Sequence, residues 1–385
     1  MPDADLLGGG ERLGRMEVPM SRPDIGEREI EAVTQVLRTP YLSIGPMLER
    51  FEEAMAQFVG ARHAVGVSSG TAGLHLCVVA AGIGSGDEVI TTPFSFVASA
   101  NCVLYERGRP VFVDIEPDAL NIDPQRIEGA ITPRTRAILP VHAFGQPADM
   151  DAILAIARRH NLWVLEDACE ATGAEYKGRK AGVLGDAAVF AFYPNKQITT
   201  AEGGMIVTNR DDWNDLFRSL RNQGRDVFDT WLSHSRLGYN YRLDELSAAL
   251  GAAQMERVEE LLAKRAQVAQ MYNAGLSQVS GVSVPYLSPA TTRSSWFVYV
   301  VRLARGIDRD QVMRRLEARG VASRQYFACI HLQPFFRQMF GYREGDFPVA
   351  EQAARSVLAL PFYGALSKEQ VDYVCRSLRE AIACA

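Results

Sequence analysis

The chain has 385 residues, of which 47% are hydrophobic and 23% are charged, and its formal net charge is −5. This composition predicts a globular protein with room for two domains, and the charge gives no overall attraction to nucleic acid or to an anionic membrane. The sequence has no apolar run of the roughly 20 residues that a membrane-spanning helix needs. We therefore expect neither nucleic acid nor a membrane among its partners.

The cysteine pattern indicates the redox environment. The cysteines are far apart, with no C-x-x-C pair and no closely spaced Cys/His set. They are Cys77, Cys102, Cys169, Cys329, Cys375 and Cys384. This spacing favours reduced thiols in a cytoplasmic protein, and it predicts no metal site.

The chain is expected to divide into a tail and two domains. The N-terminal letters M-P-D-A-D-L-L-G-G-G-E-R-L-G-R include acids and no apolar core, so they do not resemble a signal peptide. We predict a flexible tail over residues 1–17, a large domain over residues 18–255 and a small C-terminal domain over residues 256–385.

Strand and helix patterns alternate through the large domain. Apolar strand-like runs are followed by helices, one of them starting near Phe96, as far as the strand L-W-V-L-E-D that ends at Asp167. This alternation predicts an α/β fold with a large, mostly parallel sheet that has helices on both faces and binds ligands at the carboxyl ends of its strands. A long helix that ends near Leu276 is expected to lead into a smaller α+β domain.

The segment S-S-G-T-A-G, which follows the strand A-V-G-V, has the composition of an anion site. Its small residues let the backbone N–H groups of residues 69–72 approach a ligand, and the positive helix end at Thr71 favours a phosphate. The segment matches neither the dinucleotide-binding nor the Walker signature. The alternative interpretation is a plain strand-to-helix turn.

Lys196 lies in the stretch F-A-F-Y-P-N-K-Q-I-T-T-A-E-G-G-M, where an apolar strand ends and Pro194 and Asn195 turn the chain. A lysine among apolar and hydroxyl side chains can lose ammonium stabilisation by desolvation, and a neutral amine can react with an aldehyde. Lys196 is therefore a candidate cofactor lysine. Taken alone, the local pattern is more typical of a surface lysine.

Other candidates also have structural alternatives. Asp167 could pair with a protonated pyridine nitrogen or cap the helix that follows it. Phe96 could stack on a cofactor ring or belong to the core, and His142 and His331 could touch substrate or be hydrogen-bonded structural histidines. In G-Y-N-Y-R-L, the polar Asn240 and Arg242 precede an alanine-rich helix, in a position suited to a ligand, a neighbouring subunit or an ordinary loop.

Together these segments resemble the DegT/DnrJ/StrS sugar aminotransferases, which have the aspartate aminotransferase-type (type I) fold and use pyridoxal 5'-phosphate. The resemblance runs from about Val18 to Ile382. The matching pieces, in chain order, are G-P-M-L-E-R-F-E, S-S-G-T-A-G-L-H-L, T-P-F-S-F-V-A-S-A-N, V-H-A-F-G-Q-P-A-D-M, E-D-A-C-E-A-T-G-A, F-Y-P-N-K-Q-I-T-T-A-E-G-G-M, G-Y-N-Y-R-L and I-H-L-Q-P.

The resemblance implies a role for each matching position. Lys196 corresponds to the lysine that binds the cofactor covalently, Asp167 to the partner of its ring nitrogen and Phe96 to the aromatic residue that stacks on its ring. The phosphate cradle corresponds to Gly70, Thr71 and Ala72.

Other matching positions imply contacts with the neighbouring subunit's cofactor or with the substrates. Asn240 corresponds to an asparagine that reaches the cofactor phosphate of the neighbouring subunit, which implies an active homodimer. Tyr193, Arg242 and His331 fall at positions of substrate or donor contacts.

Two residues depart from the family pattern. Glu170 stands where a glutamine often contacts the ring hydroxyl of the cofactor, and a carboxylate there would repel the phenolate unless it is protonated or paired. Ala191 stands where a serine often binds the phosphate, so that contact is either missing or supplied by Ser69 or Thr200.

The resemblance implies transfer of the amino group of L-glutamate to a nucleotide-linked keto-sugar. Our specific hypothesis is carbon 4 of a 4-keto-6-deoxyhexose, for a polysaccharide or a secondary metabolite; carbon 3 or a keto-inositol is the alternative. A sugar 3-dehydratase is disfavoured because that relative has histidine in place of the lysine. A non-catalytic nucleotide-sugar sensor is the alternative of another class, and the intact Lys196 and Asp167 argue against it.

Overall fold

The computed structural model of the chain describes residues 16–226 and 233–383. Most of the predicted tail, residues 1–15, lies outside these ranges. Met16 packs against the C-terminal hydrophobic core, and the Val18 N–H donates to the Gly320 carbonyl at 2.8 Å. In the described ranges, no helix is both long and apolar enough to cross a membrane.

The helices and strands are numbered here in chain order. In the described ranges the α-helices are α1 (Glu27–Leu37), α2 (Pro46–Val59), α3 (Gly70–Ala80), α4 (Ala98–Tyr105), α5 (Pro124–Ala130), α6 (Met150–His160), α7 (Asp211–Arg221), α8 (Glu245–Met255), α9 (Val258–Leu276), α10 (Arg309–Glu317), α11 (Pro334–Phe340), α12 (Pro348–Ser356) and α13 (Lys368–Ala383). The strands are β1 (His63–Val67), β2 (Glu88–Thr91), β3 (Arg109–Phe112), β4 (Thr135–Ile138), β5 (Trp163–Asp167), β6 (Glu175–Tyr176), β7 (Arg179–Lys180), β8 (Ala187–Ala191), β9 (Gly204–Thr208), β10 (Val282–Ser283), β11 (Thr291–Arg293), β12 (Tyr299–Leu303) and β13 (Val357–Leu360).

The main sheet has the strand order β1-β9-β8-β5-β4-β2-β3 across the described residues. Strands β8, β5, β4, β2 and β3 pair in parallel, and β9 runs antiparallel to both of its neighbours. The predicted α/β class and mostly parallel sheet are confirmed. Because β1 runs in the same direction as β8, the segments that follow β1, β2, β5 and β8 all leave the same edge of the sheet.

The C-terminal part has its own core. Strands β10, β12 and β13 form an antiparallel sheet, and α9, α10 and α13 pack with it in one hydrophobic cluster. Helix α9 joins the two parts of the molecule, because Leu262 belongs to the core of the main sheet and Val268 to the C-terminal core. The domain limits at residues 18, 255 and 256 remain predictions.

The long helix that is predicted to end near Leu276 is confirmed as α9, and Arg257, which has φ −124° and ψ 18°, separates it from α8. There the guanidinium pairs with Asp24, Glu29 and Glu260. The helix that was predicted to start near Phe96 starts at Ala98, so Phe96 stays in the preceding loop.

Candidate active site

A cavity of about 520 Å³ lies at the edge of the sheet where β1, β2, β5 and β8 end. Its lining includes most of the residues that the sequence singled out for a cofactor or a substrate, although these are distant in the chain. They are Gly70, Thr71, Phe96, Asp167, Glu170, Tyr193 and Lys196. The parallel sheet therefore brings the predicted cofactor residues to one place.

Lys196 lies in the connection between the paired strands β8 and β9, where its N–H donates to the Tyr193 carbonyl at 2.9 Å. Its side chain is 13% exposed. The amine Nζ lies 3.9 Å from Glu170 Oε1 and 3.9 Å from the centre of the Phe297 ring. The amine thus lies inside the cavity, between a carboxyl group and the face of an aromatic ring.

Glu170 is buried, and its carboxyl group has few partners. Oε2 accepts a hydrogen bond from the Phe144 N–H at 2.9 Å, and Oε1 faces Lys196. Burial raises the pKa of Glu170 to about 7, an effect that Lys196 and the Phe144 N–H partly oppose. A substantial fraction of Glu170 is therefore protonated at neutral pH.

Asp167 is the last residue of β5, and its carboxylate is buried. The Ser99 hydroxyl donates to Oδ2 at 2.7 Å, and the Cys169 N–H donates to Oδ1 at 3.2 Å. These two bonds fix the orientation of the carboxylate. Neutral donors leave its negative charge uncompensated, so it can receive a cationic N–H group from a ligand in the cavity.

The N-terminus of α3 forms another end of the cavity. The Ser69 side chain caps this helix by accepting from the Ala72 N–H at 3.1 Å. A methyl group added at Gly70 would come within 2.8 Å of both Ala191 Cβ and Cys169 Sγ, so only glycine fits. Backbone N–H groups at a helix N-terminus that can be approached this closely suit an anion such as phosphate.

The structure distinguishes the two hydroxyl groups that were expected to compensate for Ala191. Ser69 lines the cavity. Thr200 is fully buried, and its hydroxyl donates to the Glu202 carbonyl at 2.7 Å. Ser69 is therefore the better placed of the two to contact a ligand.

Phe96 and Tyr193 are large aromatic side chains on the cavity surface, 64% and 53% exposed respectively. The core interpretation of Phe96 is thus wrong for this structure. An exposed ring beside a cavity is available to stack on a planar or sugar-like ligand.

Four predicted site residues lie outside the cavity lining of this single chain: Ala72, whose N–H donates to the Ser69 side chain, and Asn240, Arg242 and His331. Asn240 is exposed, and Arg242 donates to the Asn222 side chain at 3.2 Å. His331 is fully buried, with Nε2 at 3.2 Å from Glu351 Oε1, and burial lowers the pKa of its imidazole. His142 is buried as well and bonds Glu166 at 2.9 Å, as its structural interpretation expected.

Sequence reasoning did not identify several residues that contact the predicted site. Phe297 and Tyr326 reach the cavity from the C-terminal part, and Ser99 holds Asp167. Burial, with Glu170 nearby, raises the pKa of Tyr326 to about 12, so its hydroxyl stays protonated. Of these residues, only Ser99 lies in a segment that matches the family, T-P-F-S-F-V-A-S-A-N.

Comparison with known proteins identifies the type of site. Residues 23–379 match the DegT/DnrJ/EryC1/StrS aminotransferase family. The chain belongs to this family. The resemblance that the motifs predicted is thereby confirmed over nearly the whole chain.

Individual members of the family are similar to this chain along most of their length. GDP-perosamine synthase of Caulobacter vibrioides is 42% identical over 374 residues, which cover 96% of this chain and 99% of that protein. The solved structure of S. venezuelae DesV has a TM-score of 0.87 at 38% identity and covers 91% of this chain and 93% of its own. Helicobacter pylori PseC, an aminotransferase involved in pseudoaminic acid biosynthesis, has a TM-score of 0.90 at 29% identity, covering 96% and 100%.

The protein is a sugar aminotransferase of the DegT/DnrJ/EryC1/StrS family that depends on pyridoxal phosphate. The residues present fit this cofactor. The cavity provides an amine for an aldehyde, a glycine-lined helix end for a phosphate and a buried carboxylate for a ring nitrogen. Among the described residues, no group of three or more His, Cys, Asp and Glu side chains is arranged to hold a metal ion.

Proposed function

We propose that this enzyme transfers the amino group of L-glutamate to carbon 4 of a nucleotide-linked 4-keto-6-deoxyhexose. The observation that carries the aminotransferase chemistry is the presence of Lys196, Asp167 and the Gly70 cradle around one cavity. The similarity to GDP-perosamine synthase supports this proposal, because a perosamine-like sugar is the product that we expect from amination at carbon 4. Its product would be an amino sugar for a polysaccharide or a secondary metabolite.

Pyridoxal phosphate, when bound, supplies an aldehyde carbon for amine exchange and a ring that accepts electrons from the adjacent carbon. Lys196 Nζ would hold the aldehyde carbon between turnovers, and it would carry the proton taken from the α-carbon of the donor. The 13% exposure of this side chain supports the role, because few water molecules can compete for that proton.

Asp167 would keep a proton on the ring nitrogen. Two observations support this role: the carboxylate is buried, and the Ser99 hydroxyl and the Cys169 N–H orient it. Ser99 thus acts through Asp167, holding the carboxylate in one rotamer.

The phosphate would be bound at the start of α3 by Gly70, Thr71 and Ala72, with the Ser69 hydroxyl in place of the serine that Ala191 replaces. Phe96 would stack on the ring, and Tyr193 would face the sugar; their exposure on the cavity supports both roles. Arg242 and His331 remain predictions as substrate contacts.

Glu170 would lie beside the ring hydroxyl, where a second negative charge is unfavourable. A pKa of about 7 supports the protonated form, which can donate a hydrogen bond to that oxygen. On this proposal, the replacement of glutamine by glutamate preserves a donor near neutral pH.

The active form is proposed to be a homodimer with shared sites. Asn240 is exposed, and the adjoining segment near Ser43 pairs with Asp244 and includes the exposed apolar residues Leu42 and Ile44. An exposed apolar surface beside an exposed polar ligand is a suitable interface for a second copy.

The near-visible absorption spectrum of the purified enzyme tests the cofactor and donor. L-glutamate without sugar should convert the band of the lysine-bound cofactor into the spectrum of pyridoxamine phosphate. Lys196→Ala should abolish turnover while the protein stays folded. A spectrum that does not respond to glutamate would exclude this donor, and full activity in the variant would refute the role of Lys196.

A substrate panel tests the carbon position. Nucleotide-linked 4-keto sugars, 3-keto sugars and a keto-inositol are each supplied with L-glutamate, and the products are identified by NMR. We expect turnover with a 4-keto-6-deoxyhexose. Turnover restricted to a 3-keto sugar or to the keto-inositol would replace the carbon 4 proposal with that alternative.

Mixed dimers test whether the sites are shared. Lys196→Ala and Asn240→Ala subunits are mixed and allowed to exchange, each being nearly inactive alone. If Asn240 serves its neighbour, every heterodimer has one intact site, and random exchange restores about a quarter of the wild-type activity. Sites contained within single subunits would give no recovery.

A further inference from the structure

Arg265 lies in the middle of α9, where this helix passes from one core to the other. The residues before it, including Leu262, pack under the main sheet, and Val268 packs in the C-terminal core. The guanidinium also lies over the Phe362 ring, 5.7 Å from its centre. Arg265 is therefore located at the junction of the two parts of the molecule.

The guanidinium of Arg265 is buried among main-chain oxygens. The residue is 5% exposed, and in the described part of the chain its hydrogen bonds all go to carbonyl groups. Asp24 is the carboxylate that acts on its charge, and Asp24 is already paired with Arg257 at 2.9 Å and Lys264 at 3.0 Å. Burial lowers the pKa of Arg265 to about 10, so the guanidinium keeps its charge at neutral pH.

The carbonyl groups belong to two segments that meet at Lys196. Arg265 Nη2 donates to the carbonyls of Asn195 at 3.3 Å and of Lys196 itself at 2.6 Å. Nη1 donates to the carbonyls of Trp296 and Phe297, both at 3.2 Å. Because the Phe297 ring lies 3.9 Å from Lys196 Nζ, one side chain connects the backbone of the lysine to the backbone of its aromatic neighbour.

We propose that Arg265 is a positioning residue for Lys196, which fixes the lysine turn against the Phe297 segment so that Nζ meets the cofactor aldehyde and the donor at the right place. The inference rests on the proposed role of Lys196. The planar fork of arginine can serve two segments at once, whereas the single ammonium group of a lysine cannot. A buried charge without a paired carboxylate costs free energy. The positioning of Lys196 would explain why the chain retains this charge despite that cost.

The test measures how fast Lys196 captures pyridoxal phosphate in the apoenzyme, by absorbance and by borohydride trapping with mass spectrometry at Lys196. Turnover with L-glutamate is measured in parallel as separate kcat and KM values. Arg265→Met should slow capture and lower kcat on the order of 10–100-fold, with KM for glutamate within about twofold, because displacement of a reacting group affects chemistry more than binding.

Two further variants separate positioning from stability. Arg257→Met removes an arginine from the start of the same helix. The partners of Arg257 are carboxylates that lie away from Lys196. Arg257→Met should lower the urea midpoint but leave capture unchanged. Arg265→Lys retains the charge but can serve only one of the two segments, so its capture rate should lie between those of wild type and Arg265→Met. This variant replaces Arg265→Met if the latter does not fold.

The outcomes are distinguishable. Wild-type capture rates in both Arg265 variants would overturn the inference, and so would an equal slowing in Arg257→Met. If the wild-type protein itself gives no adduct at Lys196, the proposed role of Lys196 fails first, and the positioning role fails with it.

Discussion

Glu166 and Glu170 are four residues apart and are both buried, yet their surroundings are opposite. Glu166 accepts hydrogen bonds from His142 Nε2 at 2.9 Å and from the backbone N–H groups of Gly182, Leu184 and Gly185 at 2.9, 2.8 and 2.6 Å. Glu170 accepts one backbone N–H bond through its carboxyl group, and its other oxygen faces the cavity.

The pKa values of the two groups move in opposite directions. Burial alone would raise both, but in Glu166 the His142 hydrogen bond and the backbone donors outweigh burial and lower the pKa. In Glu170 burial prevails. The number of hydrogen-bond donors therefore distinguishes the two groups: Glu166 is a carboxylate that stabilises the fold, and Glu170 is a carboxylic acid that is available to a ligand.

The largest effect is expected when the well-bonded carboxylate is removed. Glu166→Ala leaves His142 and three backbone N–H groups without their acceptor inside the protein. We expect a loss of about 4 kcal/mol in the free energy of unfolding, measured by urea denaturation of the apoenzyme. A loss below about 1 kcal/mol would show that these donors find other partners and would remove the contrast with Glu170.

A smaller effect of opposite sign is expected at Glu170. Its pKa is about 7 in the folded state against an ordinary value of 4.5, so the folded protein retains a proton that the unfolded chain releases. The stability of the wild-type apoenzyme should therefore fall between about pH 4.5 and 7 because of this group. Glu170→Gln removes this pH dependence of stability. The free energy of unfolding of the variant should exceed that of wild type by near zero at pH 4.5 and by about 3 kcal/mol above pH 7.

Urea midpoints of both proteins at each pH measure that difference. Comparing the pair at each pH removes the contributions of all other titrating groups, because both proteins share them. A constant difference across the range would mean that Glu170 titrates normally and that burial does not govern it.

The smallest effect is expected for Phe297→Leu. This change removes the ring beside Lys196 Nζ and retains an apolar side chain, so we expect about 1–2 kcal/mol of destabilisation at every pH. The pH dependence due to Glu170 should persist, because burial is its main cause. Loss of the pH dependence would show that the Phe297 ring, which contacts the Lys196 amine, is what raises the pKa of Glu170.

The sequence predicted what is locally encoded. The end of β5 at Asp167 and the end of α9 at Leu276 follow from periodicity and agree with the structure. The order of parallel strands then brought Gly70, Phe96 and Lys196 together, because their loops leave the same sheet edge. The ion pairs of Arg257 with Asp24 and Glu29 join residues that are far apart in the chain, and no local pattern predicts them.

The unpredicted part of the site comes from the C-terminal half. Phe297 and Tyr326 reach the cavity, and Arg265 reaches the lysine turn, only because the two parts of the molecule pack together. His331 lies in a matching motif, yet packing buries it against Glu351. Motifs identify residues by their neighbours in sequence, and these contacts are set by tertiary packing.

Cys169 lines the same cavity as Lys196 and is a second potential nucleophile there. Burial and the nearby charge of Asp167 raise the pKa of its thiol well above the usual value. Since only the thiolate attacks aldehydes and alkylating reagents efficiently, this sulfur is unreactive at neutral pH. An aldehyde that enters the cavity therefore meets an amine with no competing thiolate, and this chemical selectivity comes first from the burial of the thiol and then from the charge of Asp167.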